Sequence, residues 1–599
     1  MRSGDHIVVL PDTDAVSAVA SQLLSEGFRR LDYPSGRPWV MGDWHDSAVK
    51  TSVTNRSGAG IFGISTATQS GIDRVCDRAS RAIDLRYFHS ISGSSMFAAW
   101  NTSCSEISGS ASGLLRIFYA QICGHPLVAT SSRLLARLAG AHVDDSELAL
   151  RLLDYTPHPL HMNSMWREVE AVPPGSSLRI DLDSGTTVHR WWDPPQPIQS
   201  RAEGALHLRS ELERAVSART RPGGPAFGAD LSGGLDSTPI CYLAGDAGKS
   251  FAARTMASRD PEDRDTAWAQ AAAEEIPVLN HIVVPAADLP LFYDRLETEK
   301  AATDEPASTV LDSGRQFAGL KELRRHGAEM ILTGIGGDHL FSPPFLHVRT
   351  SMATRPIRSL RRLRESSMQS RWPFLAVLYS GIRRSSYSSW LAKCADLVAS
   401  GDDFRDADFA LDWDIPPRLP PWATQRSREL VATAFAETSD TAGPMHPRRG
   451  VHADWYTMTH GTRITRILDQ SASQAHGVHL THPYFDDRVI EAAMSIDPLD
   501  RSDPWNFKIL VKEAMHDVLP PSMQGRQDKG AGGADKYAGL KTNRASIENT
   551  IGPMSLLAER GLIDPARATE SVRAAPELTN MTAFLDTTLS CELWLRNLP

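Results

Sequence analysis

The stretch Asp230-Leu231-Ser232-Gly233-Gly234-Leu235-Asp236-Ser237 constrains this chain more than any other. It follows a short apolar run, Pro225 to Asp230, and opens a segment of helical pattern, Thr238 to Ala244. A strand, a glycine turn with small hydroxyls and a helix N-terminus together form an anion-binding device. Backbone N–H groups and the positive helix end converge on one point. Gly233 and Gly234 let the backbone come close to a ligand. Ser232 and Ser237 add hydroxyl donors, and Leu231 starts the turn. Asp236 sets a carboxylate beside the anion, which is favourable only with a divalent cation between them. The stretch points to the pyrophosphate of ATP, held with Mg2+.

A second segment repeats the logic. Met330-Ile331-Leu332 is an apolar strand, and Thr333-Gly334-Ile335-Gly336-Gly337-Asp338 is a glycine turn that ends in an acid. In a parallel sheet both loops lie at the carboxyl ends of strands, where ligands bind. Asp236 and Asp338 are then candidates to share one Mg2+, because paired carboxylates and phosphate oxygens suit a hard cation.

The surrounding pattern predicts such a sheet. A helix over Ala202 to Ala218 precedes the first loop. Phe251 to Met256, a helix from Asp263 to Glu275, His281 to Val284 and Met330 to Leu332 continue the alternation. Strands alternating with helices imply a parallel sheet covered on both faces. Before Asp193-Pro194-Pro195-Gln196-Pro197 the chain is different. Ile7 to Leu10, Ile61 to Ile64, Leu114 to Tyr119 and Leu178 to Leu182 read as strands among few helices, one of them Asp145 to Leu153. Beyond the second loop the chain is mainly helical, with proline breaks. At 599 residues two or more domains are expected. The division is 1–192, a linker at 193–201, and 202–599.

A net charge of −9 argues against a nucleic-acid-binding body. Six scattered cysteines show no metal-ligand spacing and no disulfide framework. No apolar run reaches the roughly 18 residues that span a bilayer, and the first residues lack a signal-peptide pattern. The expectation is a cytoplasmic protein with reduced thiols and no membrane span.

Leu231 to Ser237 resembles the pyrophosphatase loop of the asparagine synthetase superfamily, and Thr333 to Phe341 its second phosphate and metal loop. Asp304-Glu305-Pro306, Lys508 to Ala514, Leu519-Pro520 and Arg526-Gln527-Asp528-Lys529-Gly530 follow in the family's order. Gly124 to Leu127 and Val172 to Gly175 resemble its glutaminase-like domain. The resemblance covers nearly the whole chain. It implies an α/β protein: a degenerate, β-rich layered domain of Ntn type, then an ATP-pyrophosphatase parallel-sheet domain with helical extensions. It also implies a phosphate contact for Lys508.

Three departures bear on the substrate. Arg2 stands where glutamine-dependent members carry a nucleophilic cysteine, so ammonia supply from glutamine is not expected. In Ala475 to Asp486, His479 and Thr481 replace a family Glu and Arg. The lysine after Arg526 sits one place late, at Lys529, in an Arg-x-x-Lys-Gly form similar to the lasso peptide cyclases. By that resemblance the chain closes a macrolactam on a leaderless precursor peptide, alongside a leader peptidase and a leader-recognition protein. Lys529 is implied as a charge stabiliser and His479 as a proton acceptor. The alternatives are an asparagine or β-lactam synthetase-like amide-forming enzyme not using glutamine, and a scaffold homologue without activity. The arginine run Arg349, Arg355, Arg358, Arg361, Arg362, Arg364 and Arg371 reads either as a solvated helical face or as a dock for an acidic peptide or partner.

Overall fold

The structure is a computed structural model. It describes residues 6–182, 185–298, 300, 302–382, 385–503, 505–527, 533–574 and 579–598. Arg2 and Lys529 lie outside these residues.

Two six-stranded antiparallel sheets build the first part. One has the order Glu170–Ala171, Phe118–Ile122, His125–Ala129, Ile7–Val9, Pro38–Gly42, Arg29–Asp32. The other runs Gly185–Arg190, Ser176–Asp181, Cys104–Ser108, Gly93–Asn101, Ser57–Ser65, Val49–Val53. The strand period of two explains the packing. Phe62, Met96, Trp100 and Leu178 point inward, where they meet Trp39, Val40 and Val128 of the facing sheet. Their neighbours Ile61, Phe97 and Ala99 point outward against Ile72, Val75 and Phe88 of the covering helices. The central strands are buried on both faces, so their sequence shows no polar alternation. Helices Ser17–Ser25 and Ser132–Ala139 cover the other sheet through Leu23, Leu134 and Leu135. The result is a four-layer helix–sheet–sheet–helix sandwich.

One expected strand is shorter than predicted. The strand expected from Leu114 begins only at Phe118. Gly113 takes φ +79°. The Ser110 N–H donates to the Leu115 carbonyl at 2.9 Å, and the Leu115 N–H donates to Ser110 Oγ at 3.1 Å. This loop closes on itself, and Leu115 spends both its backbone groups on Ser110 rather than on a ladder.

The second part is built on a five-stranded, all-parallel sheet. Its strands are β1 (Phe227–Asp230), β2 (Phe251–Met256), β3 (Leu279–Val284), β4 (Met330–Leu332) and β5 (His479–Thr481), in the order β3-β2-β1-β4-β5. Succession runs outward from β1 through β2 and β3, then crosses to β4 and β5 on the far side of β1. The reversal falls between β1 and β4, the place where open parallel sheets bind ligands. Both glycine loops leave the sheet there.

The helices of this part include α1 (Arg201–Thr220), α2 (Ser237–Gly245), α3 (Gly337–Phe341), α4 (Pro356–Gln369), α5 (Phe374–Ile382), α6 (Arg449–His476) and α7 (Thr579–Arg596). A Ser200/Glu203 capping box starts α1. Gly477, at φ +61°, ends α6. No described helix is long and apolar enough to cross a membrane.

A buried ionic seam joins the two parts. Asp304 accepts from Ser131 Oγ at 2.6 Å and the Arg133 N–H at 3.0 Å, and it pairs with Arg466 of α6. Glu305 meets Arg463 at 2.6 Å, Arg466 at 2.8 Å and Arg151 at 3.5 Å. Burial opposes charge on both acids. Even so, Arg466 beside Asp304, and Arg463 and Arg151 beside Glu305, hold each carboxyl down to about 2. Nearby, the Asp487 carboxylate accepts from the Ala111 and Ser112 N–H groups at 2.9 and 3.1 Å, and the Trp192 indole donates to Glu491 at 2.9 Å.

Candidate active site

The two glycine loops interlock. A Cβ on Gly334 would meet the Ser237 nitrogen at 2.6 Å, and one on Gly337 would meet Asp236 Oδ1 at 2.2 Å. Only glycine permits that approach. Gly233, at φ +78°, faces the Asp265 carbonyl, which a Cβ would reach at 2.1 Å. Gly336 takes φ +105° and lies over Tyr484 and Phe485. Within the first loop, Ser237 Oγ accepts from the Ser232 N–H at 2.9 Å and lies 2.8 Å from Ser232 Oγ. The Thr238 N–H closes on the Gly234 carbonyl at 3.2 Å. The loop is therefore preorganised before any ligand arrives, and α2 points its N-terminus at it.

The first loop is fastened from outside by residues distant in sequence. The Arg526 guanidinium, nearly fully buried, donates to the Gly233 carbonyl and to the Asp265 carboxylate. Tyr484 Oη donates to the Asp236 carbonyl at 3.0 Å. On the second loop, Thr333 donates its N–H to the Thr481 carbonyl of β5 at 3.0 Å, and its Oγ1 lies 2.7 Å from His482 Nδ1. Burial drives the His482 pKa down to about 3, so this imidazole is neutral.

Lys508 bridges the two acids. Its ammonium contacts Asp236 and lies 2.7 Å from Asp338 Oδ1. The side chain is buried, and the residue sits at φ +49°, in the left-handed region. The structure thus brings together the expected Leu231 to Ser237 turn, Thr333 to Asp338 and Lys508. It sets Lys508 on the two carboxylates expected to hold the metal. Among the described residues no group of three or more His, Cys, Asp or Glu forms a metal cluster. A metal here would draw its other ligands from phosphate oxygens and water. Asp236 and Asp338 fit that role, since they already share one cation between them.

His479 does not join this group. The register pairs it with Met330, at the amino end of β5, whereas Thr481 pairs with Leu332 at the ligand-binding edge. Two residues of strand, about 7 Å, separate His479 from that edge. His482 is the histidine that stands there. Thr481 is buried and accepts from Arg219 Nε of α1 at 2.6 Å. Arg219 in turn makes a bidentate pair with Asp486 at 2.6 and 2.7 Å. Both members of this pair are fully buried, and burial raises the Asp486 carboxyl while Arg219 opposes the rise.

An open cleft of about 330 Å3 adjoins Lys508. Phe341, Ser342, Ser502, Asp503, Trp505, Phe507 and Gln527 line it. Gln527 stands at the edge of the described residues, next to the segment that carries Lys529.

Two glycine loops thus stand at the reversal point of a parallel sheet, with two acids between them, the place where open α/β sheets bind ligands. Residues 207–596 match the asparagine synthase family, and the chain belongs to that family. Its members are ATP-dependent amide-bond ligases that use ATP and Mg2+. The chain is 24% identical over 485 residues to a protein of Mycobacterium tuberculosis described as "Putative asparagine synthetase", glutamine-hydrolyzing, covering 77% of this chain and 71% of that one. A Mycobacterium bovis protein of the same description matches equally. Carboxyethyl-arginine beta-lactam-synthase of Streptomyces clavuligerus is 40% identical over 79 residues, 13% of this chain and 15% of its own. Among solved structures, a glutamine phosphoribosylpyrophosphate amidotransferase of B. subtilis aligns at 10% identity and TM-score 0.20, covering 57% of this chain and 76% of its own.

Sequence reasoning missed Arg526 as a clamp, Tyr484 as a brace, and the Arg219–Asp486 pair. Each joins segments far apart in the chain, and no local pattern carried the signal. The two-position offset from His479 to Thr481 did carry one. Once β5 is read as a parallel strand, its last residue lies at the ligand-binding edge.

Proposed function

We propose that this protein is an ATP-dependent macrolactam synthetase of the lasso cyclase kind. The side-chain carboxylate of an Asp or Glu in a leaderless peptide attacks the α-phosphorus of ATP. The bond from that phosphorus to the β-phosphate oxygen breaks, and pyrophosphate leaves into the Ser232 to Ser237 turn and the Gly334 to Gly337 turn. The peptide's N-terminal amine attacks the acyl carbon, the carbon–oxygen bond to AMP breaks, and one proton is released. Bound Mg2+, held by Asp236 and Asp338, supplies charge neutralisation on the leaving phosphates. Lys508, drawn from the carboxylates toward phosphate, adds a mobile positive charge, and Lys529 supports the oxyanion.

The open cleft beside Lys508 carries this reading. A peptide held in a pre-threaded shape needs room and remote contacts, because ordering each residue costs roughly 1–2 kcal/mol. The cleft is open to solvent, and Trp505 at its rim is 70% exposed. Where family members that use free aspartate place an arginine, this chain has the buried Thr481. The nearby Arg219 guanidinium is consumed by Asp486. The lactam in the name of the Streptomyces relative adds support, as a product of closure within one molecule.

The test combines protein, ATP, Mg2+ and a leaderless peptide encoded beside the gene. Loss of one water from the peptide, with AMP formed in equal amount, is expected. Turnover of free aspartate with ammonia would overturn the reading in favour of the asparagine synthetase alternative, and formation of ADP would overturn adenylation itself.

A further inference from the structure

The arginine run between Arg349 and Arg371 is not one uniform face. Four of its members fasten it to the body: Arg355 and Arg358 pair with Asp500 at 2.7 and 2.8 Å, Arg362 donates to the Ser502 carbonyl at 2.6 Å, and Arg349 donates to the Leu411 carbonyl at 2.5 Å. Arg361, Arg364 and Arg371 are exposed, and Arg361 pairs with Glu365 of its own helix at 2.9 Å. On α4, Ile357, Arg361, Arg364 and Met368 follow helical spacing and form one stripe. Ile357 is 85% exposed and Met368 71%. On α5, Leu375 and Tyr379 repeat the exposure one turn apart. The Trp505 indole donates to Glu365 of α4 at 3.4 Å, so this face continues into the rim of the cleft that ends at Lys508.

Large apolar side chains are rarely gathered in the open without an occupant. Two features identify the occupant. Even with Arg361 paired to Glu365, the exposed arginines leave a local positive excess on a chain of net charge −9, which selects an anionic partner. The arginines lie within the apolar stripe rather than on the opposite side of the helix. A bilayer surface calls for segregated faces, whereas a polypeptide that interleaves acids with apolar residues matches an interleaved stripe.

We infer that the α4–α5 face docks the part of the peptide substrate that stays outside the cleft, a segment of carboxylates interspersed with apolar side chains. This rests on the macrolactam reading for the identity of the peptide, but not for the binding itself. Docking there supplies binding energy remote from the reacting groups, which a pre-threaded chain requires.

The probes are three fluorescein-labelled peptides of one length, with Glu, Gln or Lys alternating with Leu and Phe, titrated against the full chain by fluorescence anisotropy. The Glu peptide is expected to bind about tenfold more tightly than the Gln peptide, the combined effect of two exposed ion pairs. The double variant Arg361→Glu/Arg364→Glu is expected to reverse the order and prefer the Lys peptide, a gain that misfolding does not produce. Ile357→Ser/Leu375→Ser should weaken the Glu peptide while leaving affinity for a fluorescent ATP analogue unchanged. Equal affinity for all three peptides, no reversal in the double variant, or capture by phosphatidylglycerol vesicles in place of the peptide would overturn the inference. Because no turnover is read, a failure here is separate from a failure to form AMP.

Discussion

Gly337→Ala tests the interlocking of the two loops. The new methyl group would stand 2.2 Å from Asp236 Oδ1 and 2.6 Å from its Cγ. Ordinary contact begins near 3.4 Å, so the carboxylate must retreat by roughly 1.2 Å. It cannot do so and still share the Lys508 ammonium with Asp338. A misplacement of about 1 Å at reacting groups costs on the order of 10²-fold in rate, and overpacking of this kind costs about 1–3 kcal/mol of stability. Gly443→Ala is the control, because a Cβ there meets nothing within 4 Å. The assay is AMP release from ATP and peptide, alongside thermal unfolding. Gly337→Ala should lose about a hundredfold in AMP release and unfold at lower temperature, with Gly443→Ala matching the parent. Parent-like AMP release and an unchanged midpoint in Gly337→Ala would refute the argument that the loops must touch.

Other outcomes follow from the same geometry. Asp236→Ala and Asp338→Ala should each abolish AMP release and the Mg2+ dependence of ATP affinity while keeping near-parent unfolding; isothermal titration with and without Mg2+ reads this. Glu305→Gln leaves Arg463, Arg466 and Arg151 around a neutral side chain, and should cost about 3–5 kcal/mol in urea unfolding. Asp304 and Glu305, held near 2 in the folded chain and titrating near ~4 when unfolded, stabilise the fold fully above about pH 5. That contribution, roughly 2–3 kcal/mol each, is lost as pH falls from about 4 toward 2. Urea midpoints across that window should flatten in Asp304→Asn/Glu305→Gln, and an unchanged slope would remove the seam from the acid response.

Much of the framework was legible because local chemistry carried it. The strand, glycine turn and acid that leave β1 and β4 are short-range signals, and so is the strand–helix alternation between them. Phe251–Met256 and Met330–Leu332 form as expected. Strand β5 was not foreseen. It is three residues long at the end of a 28-residue helix, and it becomes a strand only because β4 offers a free parallel edge. The Leu114 to Ile117 stretch has strand composition, but Leu115 at its centre gives both backbone groups to a turn built on Ser110. At the site, residue types named the ligands, while the supports were invisible. Arg526, Tyr484 and Arg219 act across hundreds of residues, through geometry that only the folded chain creates.

The central claim is that a carboxylate is activated as an acyl-adenylate at the Asp236–Asp338 site. Oxygen-18 in the side-chain carboxylate of the peptide substrate traces it directly. Attack on the α-phosphorus followed by amine capture leaves one labelled oxygen on AMP and the other in the new amide, and mass spectrometry of the released nucleotide should find AMP carrying one label. Unlabelled AMP, or label in inorganic phosphate beside ADP, would contradict the account.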